Sequence, residues 1–146
     1  MIKHVKKVWG SEDWLVLNEK YCAKFLNINQ GYECSVHYHA YKDETFYVLG
    51  GALELYVIDL RKIIPVAFPI LHPDEPGDYH REYLKRKEDI LAGLTKVIVR
   101  HGEQYRLKPF TAHKFRSHTF AAKILEVSTT HKDEDSYRIT QSQKLD

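Results

Sequence analysis

Short runs of alternating apolar and polar residues, separated by glycine, asparagine, aspartate or lysine turns, dominate this chain. CAKFLNI (22–28), CSVHYH (34–39), TFYVLG (45–50) and ALELYVIDL (52–60) come first, and KVIVRH (96–101), QYRLKPF (104–110), HKFRSHTF (113–120) and AKILEVST (122–129) follow. A period of two puts every second side chain on one face of an extended strand, so each run predicts a short strand with a buried side. Gly50-Gly51 reads as a tight turn and Gly102 as the turn of a hairpin. Many short antiparallel strands at this spacing predict an all-β jelly-roll sandwich or barrel.

The pattern changes over residues 61–94. Pro65, Pro69, Pro73 and Pro76 make the lead-in a stiff loop rather than a strand. YHREYLKRKEDILAGL then sets Tyr79, Tyr83, Leu84, Lys87, Ile90, Leu91 and Leu94 near helical spacing, which predicts a short helical insert. Such a helix caps the barrel mouth, packs on a second subunit or covers an exposed sheet face, and the spacing does not choose among these. His72 and His80 lie in the insert without motif spacing and are read as surface residues.

Composition narrows the partners. With 146 residues, 43% of them hydrophobic, and no low-complexity tract, the chain suffices for one domain spanning 1–146. Lys and Arg total 22 against 20 Asp and Glu, a formal charge of +2, which offers no strong field for nucleic acid or acidic membranes and points to a small-molecule partner. MIKHVKKVWGSEDW lacks the apolar stretch of a signal peptide and no segment reaches transmembrane length, so a cytoplasmic protein is expected. Cys22 and Cys34 form no CxxC pair and are expected as small buried residues rather than a disulfide.

The candidate chemistry sits in GYECSVHYHAYKDETFYVLGG. His37 and His39 are two apart, so a strand projects both imidazoles from one face. Ala40-Tyr41-Lys42-Asp43 forms a turn that lets Glu44 open the returning strand with its carboxylate toward them, and Phe46 and Val48 share the face of Glu44. His113, in LKPFTAHKF after Pro109, offers a fourth ligand. Three imidazoles and one carboxylate suit a divalent transition metal such as zinc, manganese, iron, nickel or cobalt.

Gly31, His37, His39, Glu44 and Gly50 or Gly51 fill the first motif of the cupin superfamily, which this chain therefore resembles. Pro109, Thr111 and His113 stand where the second motif, Pro-x-Gly-x-x-His, is expected, with Thr for Gly and one residue fewer. The resemblance implies a cupin double-stranded β-helix. Within the cupins, Trp9, Gly10, Glu12, Lys24, Gly31, Ser35, His39 and Glu44, together with Glu126, Val127, Glu134, Asp135 and Arg138, follow the layout of the cupin domain of type II phosphomannose isomerases. His37 stands where that family carries Gln, a feature that looks more like the cupin-type lyxose isomerases or metal cupins in general.

These resemblances imply a metal-dependent aldose-ketose isomerase for a sugar or sugar phosphate, in which a metal on His37, His39, Glu44 and His113 stabilises the enediolate. Candidates for the base are Glu33, by its strand face, and Lys24 and Glu126, by the family layout. Lys24, Arg106, Arg116 and Lys114 are candidate contacts for a phosphate, and Tyr38, Phe46, Phe115 or Trp14 for stacking on a sugar ring, with Phe46 and Phe115 as pocket walls. An iron-dependent dioxygenase and a non-catalytic metal- and sugar-binding module use the same ligand set and stay open. A homodimer is expected, as cupins commonly pair.

The ligand assignment predicts that His37→Ala or His39→Ala abolishes metal content, read by elemental analysis, while circular dichroism still reports a folded domain. A double variant that retained a full equivalent of metal would overturn the assignment.

Overall fold

A computed structural model describes residues 3–146. In the first half of the chain lie β1 (Lys3–Lys7), β2 (Gly10–Leu17), β3 (Tyr21–Ile28), β4 (Tyr32–Glu33), β5 (His37–Tyr38), β6 (Glu44–Gly50) and β7 (Ala52–Asp59). After the helices α1 (Glu75–Lys85) and α2 (Lys87–Ala92) come β8 (Thr95–Arg100), β9 (Gln104–Leu107), β10 (Thr111–Ser117), β11 (Ala122–Thr129), β12 (Tyr137–Arg138) and β13 (Gln143–Lys144). One sheet has the order β1-β2-β3-β11-β6-β9; the other has β12-β5-β10-β4-β13, with β7 joining β10 to β8.

The two sheets form the jelly roll that the alternation predicts. Along β3 the buried residues are Cys22, Lys24, Leu26 and Ile28, a strict period of two, and β11 repeats it with Ala122, Ile124, Glu126 and Ser128. Between the sheets Leu26, Phe46, Val48, Leu53, Leu55, Phe115 and Ile124 form one core. Trp9 meets Phe115 edge-on at 5.0 Å between ring centres, and Phe46 meets it at 6.0 Å.

Gly102 is not the turn of a hairpin. β8 pairs with β7 and β9 with β6, so the turn at Gly102 (φ 85°) carries the chain from one sheet to the other. Gly51 (φ 70°) does the same between β6 and β7. Strands on either side of such a corner face each other across the core instead of sharing hydrogen bonds.

The predicted helix is two helices that begin earlier, with Pro76 in the first turn, where its missing N–H costs nothing. Tyr83 and Ile90 pack with Tyr38, Phe110 and Ala112 in a second apolar cluster outside the second sheet. The insert thus covers a sheet face, the third of the roles open to it. The expected strand at 34–39 is also shorter, reduced to β5, with β4 just before it. Between them single bonds from the C-terminal segment replace a ladder: the Val36 N–H donates to Thr140 Oγ1 at 2.8 Å, and the Val36 carbonyl accepts from Ile139 N at 2.7 Å. β1, an outer edge strand rich in lysine, and β2, which lies between it and β3, escape the apolar pattern because neither has a fully buried face to mark it. No helix among the described residues is long and apolar enough to cross a membrane.

Glycine is required at one strand entry. A Cβ on Gly10 (φ 149°) would stand 1.8 Å from the Asn27 carbonyl oxygen, whereas one on Gly31 (φ 85°) would meet nothing within 4 Å. Gly10→Ala is expected to cost about 2–3 kcal/mol through strain and collision. Gly31→Ala should cost only about 1 kcal/mol, from its left-handed backbone. Urea denaturation checks the pair, and equal midpoints would contradict the account.

Candidate metal centre

His113 on β10 lies opposite His37 on β5, and His39 follows β5 by one residue, so the second sheet and its margin supply three imidazoles. Glu44, the first residue of β6, arrives from the other sheet. One ligand atom from each histidine lies within 4.8 Å of the others, with His39 and His113 buried and His37 half-buried. Glu44 Oε1 stands 3.1 Å from His113 Nε2 and 3.7 Å from His39 Nε2.

The backbone fixes how each ring points. His37 Nδ1 donates to the Ser35 carbonyl at 2.8 Å, His39 Nδ1 to the Asp135 carbonyl at 2.8 Å, and His113 Nδ1 to the Thr111 carbonyl at 2.9 Å. A carbonyl only accepts, so Nδ1 carries the proton and the neutral ring offers its lone pair on Nε2. Burial, then the neighbouring His113 and His39, hold His37 well below its ordinary pKa, and burial pushes His39 down to about 4. Burial alone would raise Glu44, yet the Lys42 ammonium beside it holds its carboxyl well below the usual carboxylate range.

With its Nδ1 proton on the Thr111 carbonyl, a His113 ring carrying one proton turns a lone pair on a carboxylate oxygen 3.1 Å away, and both atoms are buried without a hydrogen-bond partner. Two acceptors at that separation repel unless a cation lies between them. The donor set and the carbonyl-anchored rings fit a divalent transition metal, because anchoring Nδ1 in this way is how metal-binding histidines are oriented.

Sequence reasoning missed Lys42. Its Nζ, buried, lies 3.1 Å from Glu44 Oε2 and 2.9 Å from Glu126 Oε2. Burial would lower this ammonium, but Glu44 and Glu126 outweigh it and raise its pKa. The available signal was parity, since Lys42 is two residues before Glu44. Phe110 was missed as well: it takes a left-handed conformation (φ 60°) one residue before Thr111, and its N–H donates to the His39 carbonyl at 2.8 Å. The turn that leads to His113 thus uses a buried phenylalanine where the motif expects a nearby glycine.

His37, His39 and Glu44 line a cavity of roughly 820 Å³, a size that suits a small molecule. Lys24 and Glu126 line it, on paired strands opposite each other. Lys24 Nζ lies 4.2 Å from the Trp14 ring centre and 3.8 Å from Glu12 Oε1. Trp14, Phe46 and Phe115 are also on the wall. Glu33 is not: the strand breaks after it, and its carboxylate accepts from Gln143 Nε2 at 2.7 Å and pairs with Lys114 at 3.0 Å. Arg116 is held by Glu54 and Tyr56, and Arg106 by Asp43, so these arginines and Lys114 lie off the cavity wall. Tyr38 points under the helices, its hydroxyl 2.9 Å from Nδ1 of His80, and His80 itself reaches the cavity wall. Cys22 and Cys34 are free and buried, as expected.

The family model of D-lyxose isomerases matches residues 10–145. No curated protein matches the chain significantly. Among solved structures, KdgF from Halomonas sp. superposes with a TM-score of 0.56 at 12% identity, over 85% of this chain and 81% of that one. Oxalate decarboxylase from Bacillus subtilis gives 0.66 at 10% identity, over 94% of this chain and 30% of that one. The capsular polysaccharide assembling protein CapF from Staphylococcus aureus gives 0.63 at 9% identity, over 100% of this chain and 34% of that one. The chain spans about a third of the length of these last two. At such identities the likeness is one of fold, and the fold is the cupin jelly roll.

Removing the lysine that bridges two buried carboxylates should be costly. Lys42→Met is expected to lose about 3–5 kcal/mol of stability near neutral pH. Adding Glu126→Gln should restore part of that loss, and chemical denaturation of the single and double variants measures both effects. A Lys42→Met protein of wild-type stability would rule the bridge out as a stabilising contact.

Proposed function

The chain belongs to the D-lyxose isomerase family, and from that premise and the geometry of the cavity we propose that it interconverts an aldose and a ketose with a divalent transition metal held by His37, His39, Glu44 and His113. One observation carries the metal reading: Glu44 Oε1 and His113 Nε2 face each other at 3.1 Å, buried and without a hydrogen-bond partner. When bound, such an ion supplies Lewis acidity toward the carbonyl and adjacent hydroxyl oxygens of an open-chain sugar. The chain's own residues must then move a proton between neighbouring carbons. We assign that step to Glu126, a carboxylate on the cavity wall that Lys42 keeps in place. Lys24, buried on the same wall, is assigned to hold a substrate hydroxyl, and Trp14, Phe46 and Phe115 offer apolar faces to the sugar.

A phosphorylated sugar, the substrate class implied by the likeness to type II phosphomannose isomerases, is favoured by a second observation. Lys6, Lys7 and Arg138 line the cavity and take part in none of the ion pairs found among the described residues. They would receive the phosphate in place of Arg106, Arg116 and Lys114.

The test is elemental analysis of the purified protein, followed by isomerisation assays on D-lyxose and other aldoses, with and without a phosphate, after metal removal and reloading. About one metal per chain and metal-dependent conversion are expected. Glu126→Gln should keep the metal and lose about 10²–10⁴-fold in turnover. Oxygen consumption by an iron-loaded protein without isomerisation would favour the dioxygenase, and tight sugar binding without turnover a binding module.

A further inference from the structure

Residues 31–42 bring His37 and His39 to the site, yet much of what holds them comes from a segment about a hundred residues later. β12 pairs with β5 and β13 with β4. The Ser35 N–H donates to Ser142 Oγ at 3.2 Å, and the Leu145 N–H to the Gly31 carbonyl at 2.7 Å. At one residue of this strap the ties converge on the site. Asp135, buried, accepts the Ala40 N–H on Oδ1 at 2.8 Å and the Lys42 N–H on Oδ2 at 2.9 Å. The Tyr41 N–H lies 3.2 Å from both oxygens. The carbonyl of the same residue accepts from His39 Nδ1 at 2.8 Å.

We propose that Asp135 is a positioning residue of the metal centre. Its carboxylate fixes the turn between His39 and Glu44, and its carbonyl aims His39 Nε2. This rests on the reading of His37, His39, Glu44 and His113 as ligands. Three consecutive amides pointing one way make an anion-binding concavity, and a carboxylate fills it with acceptors alone. Asparagine has nearly the same shape, but in either orientation it would set an NH₂ group against one of those N–H donors. The turn must then shift, and with it Lys42, Glu44 and the His39 ring. Partners that orient metal-bound histidines act on affinity for the ion through this kind of restraint.

The probe is Co²⁺, whose visible bands report ligand geometry independently of turnover. Wild type, Asp135→Asn and Thr140→Val are compared by chelator competition, cobalt spectrum and thermal unfolding. Thr140→Val removes the acceptor of the Val36 N–H from the same strap without touching His39 or the turn. Asp135→Asn is expected to weaken cobalt binding about 10–100-fold and to shift the bands, while Thr140→Val lowers the thermal midpoint and leaves affinity and bands unchanged. Should Asp135→Asn not fold, Asp135→Glu, which keeps the charge but displaces the turn, should weaken binding in the same direction. Wild-type affinity and spectrum in a folded Asp135 variant would overturn the positioning role alone. Equal weakening by Thr140→Val, or failure of both Asp135 variants to fold, would make the strap a general structural support and overturn it too. A wild-type protein that binds no cobalt would remove the metal reading itself and this inference with it.

Discussion

Buried acceptors without donors are the constraint around which this molecule is organised. Three imidazoles spend their single protons on backbone carbonyls, and their remaining lone pairs converge beside the Glu44 carboxylate. Nothing apolar can resolve the meeting of Glu44 Oε1 and His113 Nε2, which are buried there without a partner. Positive charge can. Lys42 supplies it on the outer side of Glu44, between that carboxylate and Glu126, and the inner side is left shaped for an ion. Desolvation, usually a penalty, here favours the neutral rings of His37 and His39, which can then donate electron pairs.

The jelly roll makes the convergence feasible because its two sheets face each other across a core. Corners at Gly51 and Gly102 pass the chain between sheets, so the carboxylate of Glu44 on β6 can meet imidazoles of β5 and β10 at short range. The apolar core formed by Leu26, Phe46, Val48 and Leu55 fills the interior beside the histidines. The remaining space becomes a cavity with aromatic walls and buried charges. The outer face of the second sheet, which would otherwise expose Tyr38 and Ala112, is sealed by the helices.

How much of this the sequence discloses depends on the range of the interaction. The strand at 22–28 and the shared face of Glu44, Phe46 and Val48 obey a period of two and are legible. So are His37 and His39, whose spacing within one strand brings them together. Longer-range facts are harder to read. Glu33 seemed to share the face of the histidines, but the pleat breaks between Glu33 and His37, and the inference fails where the regular backbone does. Lys42 reads only as part of the turn before Glu44, because its two carboxylate partners gather on folding. Asp135 was legible as part of an acidic pair but not as the acceptor of three amides, since no local pattern reports a contact across 93 to 96 residues.

That separation also bears on how the protein is made. His39 leaves the ribosome with its imidazole unanchored, and the residue whose carbonyl aims it is added 96 positions later. At ordinary rates of synthesis the gap is roughly 5 to 20 seconds. During that interval the histidines are in the chain but not yet a site. The completed strap therefore acts as a clock, setting the earliest moment at which the His39 ring can take its final orientation.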